Sequence, residues 1–302
     1  MNNAPASPDV AWFDHGRFGL FIHWGVYALP ARHEWVQNRE YIHPDRYKIY
    51  SEHFDPDLFD ARDWARRARQ AGFTYAVLTT KHHDGFCLWD SALTDYSAPK
   101  TTAGRDLVRE FVDAFRAEGL RIGFYHSLID WHHPDFTVDG IHPLRNDPAE
   151  IERNGERDFA RYREYLHGQV RELITGYGQV DYLFFDFSYS QGIGALPGKG
   201  AADWGSEELL RMIRELQPGC IVNDRLEIGG DVTTPEQYQP AVTPTDHDGA
   251  PIRWEACQTI NGSWGYDRDN LADKSSELLL KMLIDTVSKN GNMLLNIGPD
   301  AR

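Results

Sequence analysis

Short apolar runs recur along this 302-residue chain, each followed by a charged segment with helical spacing, and that alternation limits the fold more than any other feature. The runs cover 18–22, 75–78, 122–125, 182–185, 221–222 and 293–297. None alternates with polar residues, the pattern of parallel strands buried on both faces. Five segments between them, 61–70, 105–118, 158–175, 206–216 and 275–289, predict helices, and each stops before Gly72, Gly119, Gly176, Pro218 or Gly291. Strand and helix in turn predict an α/β fold built on a parallel sheet. Between 226 and 272 the rhythm dissolves into aromatic, turn-rich sequence that reads as long loops and irregular strands. No repeat, low-complexity tract or linker interrupts the chain, so residues 1–302 are expected to form a single catalytic domain.

The chemistry gathers where each run ends. Ile22 is followed by His23-Trp24, Leu78 by Lys81-His82-His83-Asp84, Tyr125 by His126 and Asp130-Trp131, Phe185 by Asp186, and Val222 by Asn223-Asp224-Arg225. A (β/α)8 barrel carries its site at the carboxyl ends of its strands, where residues remote in sequence converge. A doubly wound sheet also binds there, but normally with a glycine-rich phosphate loop, and both G-x-G-x-x-G and G-x-x-x-x-G-K-[ST] are missing. The expected architecture is therefore a (β/α)8-like TIM barrel.

Composition removes several function classes. Thirty-one Lys and Arg against 46 Asp and Glu give a formal charge of -15 without any basic block, which argues against a nucleic-acid partner. No apolar run approaches the roughly 18 to 20 residues that cross a bilayer, so no membrane partner is expected. The first ten residues, MNNAPASPDV, carry neither a basic region nor an apolar core, and a cytoplasmic location follows as the expectation. Cys87, Cys220 and Cys257 lie far apart and form no C-x-x-C, so they read as free thiols.

Asp186 ends the run Tyr182-Leu183-Phe184-Phe185. An unpaired carboxylate among aromatics would cost several kcal/mol to desolvate, so it must be paired, liganded or used in catalysis. Two carboxylates in the aromatic loop region could partner it: Glu236, set behind Pro235, and Glu255, in Trp254-Glu255 at what looks like another strand start. Two acids suit glycoside hydrolysis, one attacking the anomeric carbon and one protonating the departing oxygen. A loop-anchoring salt bridge would explain either glutamate equally well. The histidines His82-His83, His132-His133, His23 and His126 raise a metal site as a rival, but neither H-x-H nor H-E-x-x-H occurs. No metal and no other cofactor is expected, since neutral imidazoles serve as hydrogen-bond partners for hydroxyls. Trp24, Trp35, Trp131, Trp254 and Trp264 stand beside these polar segments, where indoles could pack on apolar sugar faces.

The blocks FGLFIHWG (18–25), Glu34-Trp35, KHHDGF (81–86), FYHSLIDWHH (124–133), YLFFDFSY (182–189), Asn223-Asp224-Arg225, Thr234-Pro235-Glu236, Trp254-Glu255, SWGY (263–266) and NGNMLLNIGP (290–299) together resemble the α-L-fucosidases of glycoside hydrolase family 29, in the family's order and over nearly the whole chain. The resemblance implies a (β/α)8-like barrel and exo-acting, retaining removal of terminal α-L-fucosyl residues from glycans, through a covalent fucosyl-enzyme and without a metal. It aligns Asp186 with the nucleophile and Glu236 with the acid/base, with Glu255 as second candidate for that role or as a substrate contact. It places His23, Glu34, Trp35, His82, His83, Tyr125, His126 and Arg225 on the sugar, and Trp264 against its C6 methyl. His126 stands where relatives carry a second tyrosine. Because the chain stops at Arg302, just after the last strand motif, the barrel is expected to be incomplete at its C-terminal end and to lack a C-terminal β-sandwich domain. The apolar surface of such a barrel could be covered by a second copy, a homo-oligomer. The expected partner is a fucosylated oligosaccharide or glycoconjugate. A fucose-binding protein without turnover, or a metal-dependent barrel hydrolase using His82, His83, His126 and Asp186, are the alternatives.

Overall fold

Seven parallel strands organise the chain in its computed structural model, which describes residues 10–302: β1 Phe18–Ile22, β2 Tyr75–Lys81, β3 Arg121–Ser127, β4 Tyr182–Asp186, β5 Ile221–Val222, β6 Glu255–Thr259 and β7 Asn292–Ile297. They lie in the order β5-β4-β3-β2-β1-β7-β6, every neighbouring pair parallel. Parallel neighbours require crossover connections. The five predicted helices supply them or flank them, at Ala61–Gln70, Leu107–Ala117, Phe159–Gly176, Ser206–Leu216 and Ser276–Ser288. Four of these start on a side chain that accepts from the first-turn amides, namely Asp60, Asp106, Asp158 and Ser275. Gly72 (φ 88°) and Gly119 (φ 76°) take the left-handed geometry that ends the first two. Further short helices, Ala11–Gly16, Val36–Arg39, Pro44–Glu52, Pro148–Glu152 and Ala201–Trp204, were not legible as periodic segments because each is too brief or too polar to show a stripe.

Strand alternation sorts the core into two layers. Ala76, Leu78, Ile122, Phe124, Leu183 and Phe185 face outward and pack on helix residues such as Ala65, Phe111, Leu166 and Ile213. Tyr75, Val77, Tyr125, Tyr182 and Phe184 face inward and form a second cluster with Phe21, Ile221, Cys257 and Leu294. That inner cluster draws on all seven strands, so the sheet is curled upon itself. Phe21 of β1 and Phe184 of β4 meet at 5.1 Å between ring centroids although β2 and β3 separate them in the ladder.

The regular ladder is open between β5 and β6. An extended stretch, 231–237, spans the gap: the Asp231 amide donates to the Val222 carbonyl (2.8 Å), and Glu255 and Cys257 donate to the Thr233 and Pro235 carbonyls (2.9 and 3.1 Å). Single parallel bridges join Asn223 to Val232, Thr233 to Trp254 and Glu236 to Cys257. The sheet is thus open and curled, consistent with an incomplete TIM-like barrel, and its regular ladder opens between β5 and β6. β7 is fully paired with β1 and β6, and the irregular part is the middle of the chain, where Pro235 has no amide to donate. The Ser276–Ser288 helix buries only Thr286, while Leu278, Leu280 and Ile284 stay exposed. No helix among the described residues is long and apolar enough to cross a membrane.

Candidate active site

At the carboxyl ends of the strands a cavity is lined by Phe21, His23, Trp35, His82, Tyr125, Phe184, Asp186, Phe187, Arg225, Glu236, Cys257 and Trp264. A larger surface hollow lies between residues 57–62 and the Leu107–Ala117 helix, away from the strand ends. The strands deliver these groups directly. His23 follows β1, His82 follows β2, Tyr125 points inward from β3, and Asp186 is the last residue of β4. Phe187 then adopts φ 71°, a strained turn for a bulky residue that ends the strand at the carboxylate and turns the next ring into the cavity.

Asp186 is held on both oxygens. Tyr125 Oη donates to Oδ2 at 2.8 Å and Arg225 Nη1 donates to Oδ1 at 2.6 Å. Arg225 Nη2 lies 2.8 Å from Glu236 Oε2, so one guanidinium touches both carboxylates. Burial works against the Arg225 charge, but Asp186 and Glu236 outweigh it and raise its pKa above the ordinary value. Its Nε donates to Thr234 Oγ1 (3.1 Å), and Thr234 donates from Oγ1 and backbone N to Asp224 Oδ1 (2.8 and 3.2 Å). This clasp ties the loop after β5 to the segment that carries Glu236. Glu236 is the more exposed carboxylate, its side chain 43% accessible against 14% for Asp186.

The imidazoles are kept neutral by burial. His23 is pulled down to about 4, and His82 and His83 well below their ordinary value, in each case chiefly because burial disfavours the charged ring. His82 lies parallel to Tyr125, with centroids 5.5 Å apart, and its buried Nδ1 has no hydrogen-bond partner among the described residues. Such rings can accept or donate to hydroxyls without adding charge beside Asp186.

Of the predicted residues, the structure brings together Asp186, Glu236, His23, Trp35, His82, Tyr125, Arg225 and Trp264. His83 and Glu34 stand just behind that wall. His83 packs on His82 (4.0 Å) and Trp35 (4.9 Å) and bonds Ser127 Oγ through Nδ1 at 2.6 Å. Glu34 Oε2 accepts from the Gly265 amide at 2.7 Å, and burial raises its pKa to about 7. Two expectations are corrected. His126 follows an inward tyrosine on β3 and so points outward, bonding Thr80 Oγ1 (3.1 Å) and packing near Trp89, outside the cavity. Glu255 opens β6 rather than closing it, which sends it to the opposite end of the strands. There it accepts from Tyr182 Oη (3.0 Å) and Tyr75 Oη, from the first residues of β4 and β2. Sequence reasoning passed over Phe187, Cys257 and Asn296. The last carried a readable signal, a lone polar side chain near the end of an apolar run. Among the described residues no group of three or more His, Cys, Asp or Glu is arranged to hold a metal ion.

The family model for α-L-fucosidase matches residues 2–302. The chain is 31% identical to the tissue α-L-fucosidase of Rattus norvegicus over 97% of its own length and 64% of that protein, so it spans just under two thirds of this curated relative. Among solved structures it is similar to α-L-fucosidase isoenzyme 1 from Paenibacillus thiaminolyticus, with a TM-score of 0.91 and 50% identity over 97% of this chain and 70% of that one. It is also similar to a glycoside hydrolase family 29 α-L-fucosidase from Bacteroides thetaiotaomicron, solved as a trapped covalent intermediate with 2-fluoro-fucosyl fluoride, at a TM-score of 0.83 and 30% identity over 100% and 72% of the two chains. With a family match that runs the length of the chain and a cavity holding two carboxylates on one arginine, the chain belongs to the α-L-fucosidase family.

Proposed function

We propose that the protein is an exo-acting, retaining α-L-fucosidase that removes terminal α-L-fucosyl residues from fucosylated oligosaccharides or glycoconjugates. The observation that carries this reading is the placement of Asp186 and Glu236 on the two nitrogens of Arg225 at the mouth of a cavity walled by neutral histidines and aromatic rings. In the first step an Asp186 oxygen bonds to the anomeric carbon as the glycosidic C–O bond breaks, and Glu236 gives its proton to the departing oxygen. In the second, Glu236 takes a proton from water, the water oxygen bonds to the same carbon, and the Asp186 carboxylate leaves with fucose released. Tyr125 and Arg225 keep the Asp186 oxygens fixed by donating to both of them. His23, His82 and Trp35 would meet the ring hydroxyls, with His83 and Glu34 bracing them from behind, while Trp264 would meet the C6 methyl. In this reading the 231–237 stretch takes the place of an eighth strand, which makes the curled sheet a (β/α)8-like barrel and sets Glu236 beside Cys257 of β6.

Release of nitrophenol from 4-nitrophenyl α-L-fucoside, with and without a chelator, tests the proposal. Chelator-resistant release supports it. Fucose binding by folded protein with no release would make this a binding protein, and release abolished by the chelator would point to a metal-dependent hydrolase.

A further inference from the structure

Asn296 of β7 is 1% exposed, and its two amide atoms face different partners. Nδ2 donates to the backbone carbonyl of Trp264 at 2.7 Å, and Oδ1 lies 2.6 Å from Nδ1 of His23. A backbone carbonyl can only accept, so the amide atom facing it must be the NH2. That choice fixes the other one: the oxygen faces His23, and an amide oxygen also only accepts. His23 Nδ1 must therefore carry a hydrogen, which in the neutral ring leaves Nε2 bare. Among the described residues no other hydrogen bond reaches this ring, and the ring lines the cavity. The chain just past β7 also meets the Trp264 loop by shape. A Cβ on Gly298 would sit 2.6 Å from the Trp264 carbonyl oxygen, so the loop lies directly on bare backbone.

We propose that Asn296 is a positioning residue that locks His23 in the Nδ1–H form, so that Nε2 accepts a hydrogen bond from a sugar hydroxyl while the Trp264 loop is held over the same sugar. The sugar in this statement rests on the fucosidase reading; the form of the ring does not. An acceptor at this point selects a hydroxyl that donates, which leaves that oxygen's lone pairs free for donors elsewhere in the cavity. The groups that face His23 are Asn296 from β7, His82 after β2, Tyr125 from β3, Asp186 from β4 and Arg225 from the loop after β5, with His83 behind His82. Asp186 favours a charged ring, Arg225 opposes it, and burial dominates both.

Nitrogen-15 NMR of the full chain labelled at histidine tests this, with His23 identified by the resonance missing from His23→Gln. The wild type should show His23 neutral near pH 7, protonated at Nδ1 and bare at Nε2. Asn296→Asp sets a carboxylate against Nδ1–H and should raise the proton affinity of His23 about tenfold or more, moving the acid limb of kcat/KM upward with it. Asn296→Leu should release the ring into a mixture of both neutral forms. A purely structural asparagine would lower Tm in both variants and leave the ring form and the pH profile where they were. A wild-type His23 protonated at Nε2, or a folded Asn296→Asp with unchanged titration and pH profile, overturns the proposal. Should Asn296→Asp fail to fold, the wild-type spectrum decides alone. A folded protein with Nδ1–H at His23 and no turnover would sink the fucosidase reading and leave this one standing.

Discussion

Asp186 and Glu236 meet on a single guanidinium, 2.6 Å from Nη1 and 2.8 Å from Nη2 of Arg225. Asp186 shares the cavity wall with Phe184 and Phe187, and Arg225 and Tyr125 each donate to one of its oxygens. Arg225→Met should lower kcat/KM by about 10²- to 10³-fold, the range for removing one preorganised electrostatic partner. Arg225→Lys should recover little of this, because an ammonium cannot fork across two carboxylates. Steady-state kinetics on folded variants checks it, and a loss of less than about fivefold would show that Asp186 does not rely on the arginine.

Trp264 closes the cavity beside Phe21 and His23, at centroid distances of 5.9 and 5.1 Å. A methyl group against such a wall is worth about 1 to 3 kcal/mol. Trp264→Ala should therefore lose about 10-fold or more in preference for the α-L-fucoside over the analogue lacking the C6 methyl. Equal selectivity in wild type and variant would remove the methyl contact from the account.

Glu255 separates the two acid candidates. It is fully buried, the side-chain donors that reach it among the described residues are Tyr75 and Tyr182, and burial raises its pKa to about 7 against the two hydrogen bonds that lower it. Unfolded, it ionises near its ordinary value, so between there and about pH 7 the native state holds more protons than the unfolded one. Its contribution to stability is present at low pH and is lost as pH rises through that window, by up to about 3 kcal/mol. Glu255→Gln should flatten the fall in Tm across this range and keep kcat/KM within about threefold of wild type. A drop of about 10² or more, with no change in the pH dependence of Tm, would return the acid/base role to Glu255.

Much of this arrangement was legible in the sequence because the signals were local. Apolar runs mark six strands, segments stopped by glycine or proline mark five helices, and polar groups at strand ends mark most of the cavity wall. What the local signals do not carry is the side-chain direction and the end of the barrel a residue occupies. Tyr125 and His126 are adjacent and equally polar, and only the alternation of β3, fixed by packing on both faces, sends one inward and the other out. Trp254-Glu255 reads as a strand start, and that very position puts Glu255 at the far end from Asp186. The 231–237 stretch escaped because it holds its place by isolated bridges to β5 and β6, which leave no periodic trace.

The most direct measurement replaces the proposed nucleophile itself. Asp186→Gly should abolish hydrolysis of 4-nitrophenyl α-L-fucoside while the protein stays folded, and added azide should restore nitrophenol release. Azide would then occupy the vacated space, bond to the anomeric carbon from the side Asp186 faces and expel nitrophenolate, giving β-fucosyl azide. Isolation of that product is the predicted result. Retained hydrolysis in Asp186→Gly, or rescue that yields only α-fucosyl azide, would contradict a double displacement through Asp186.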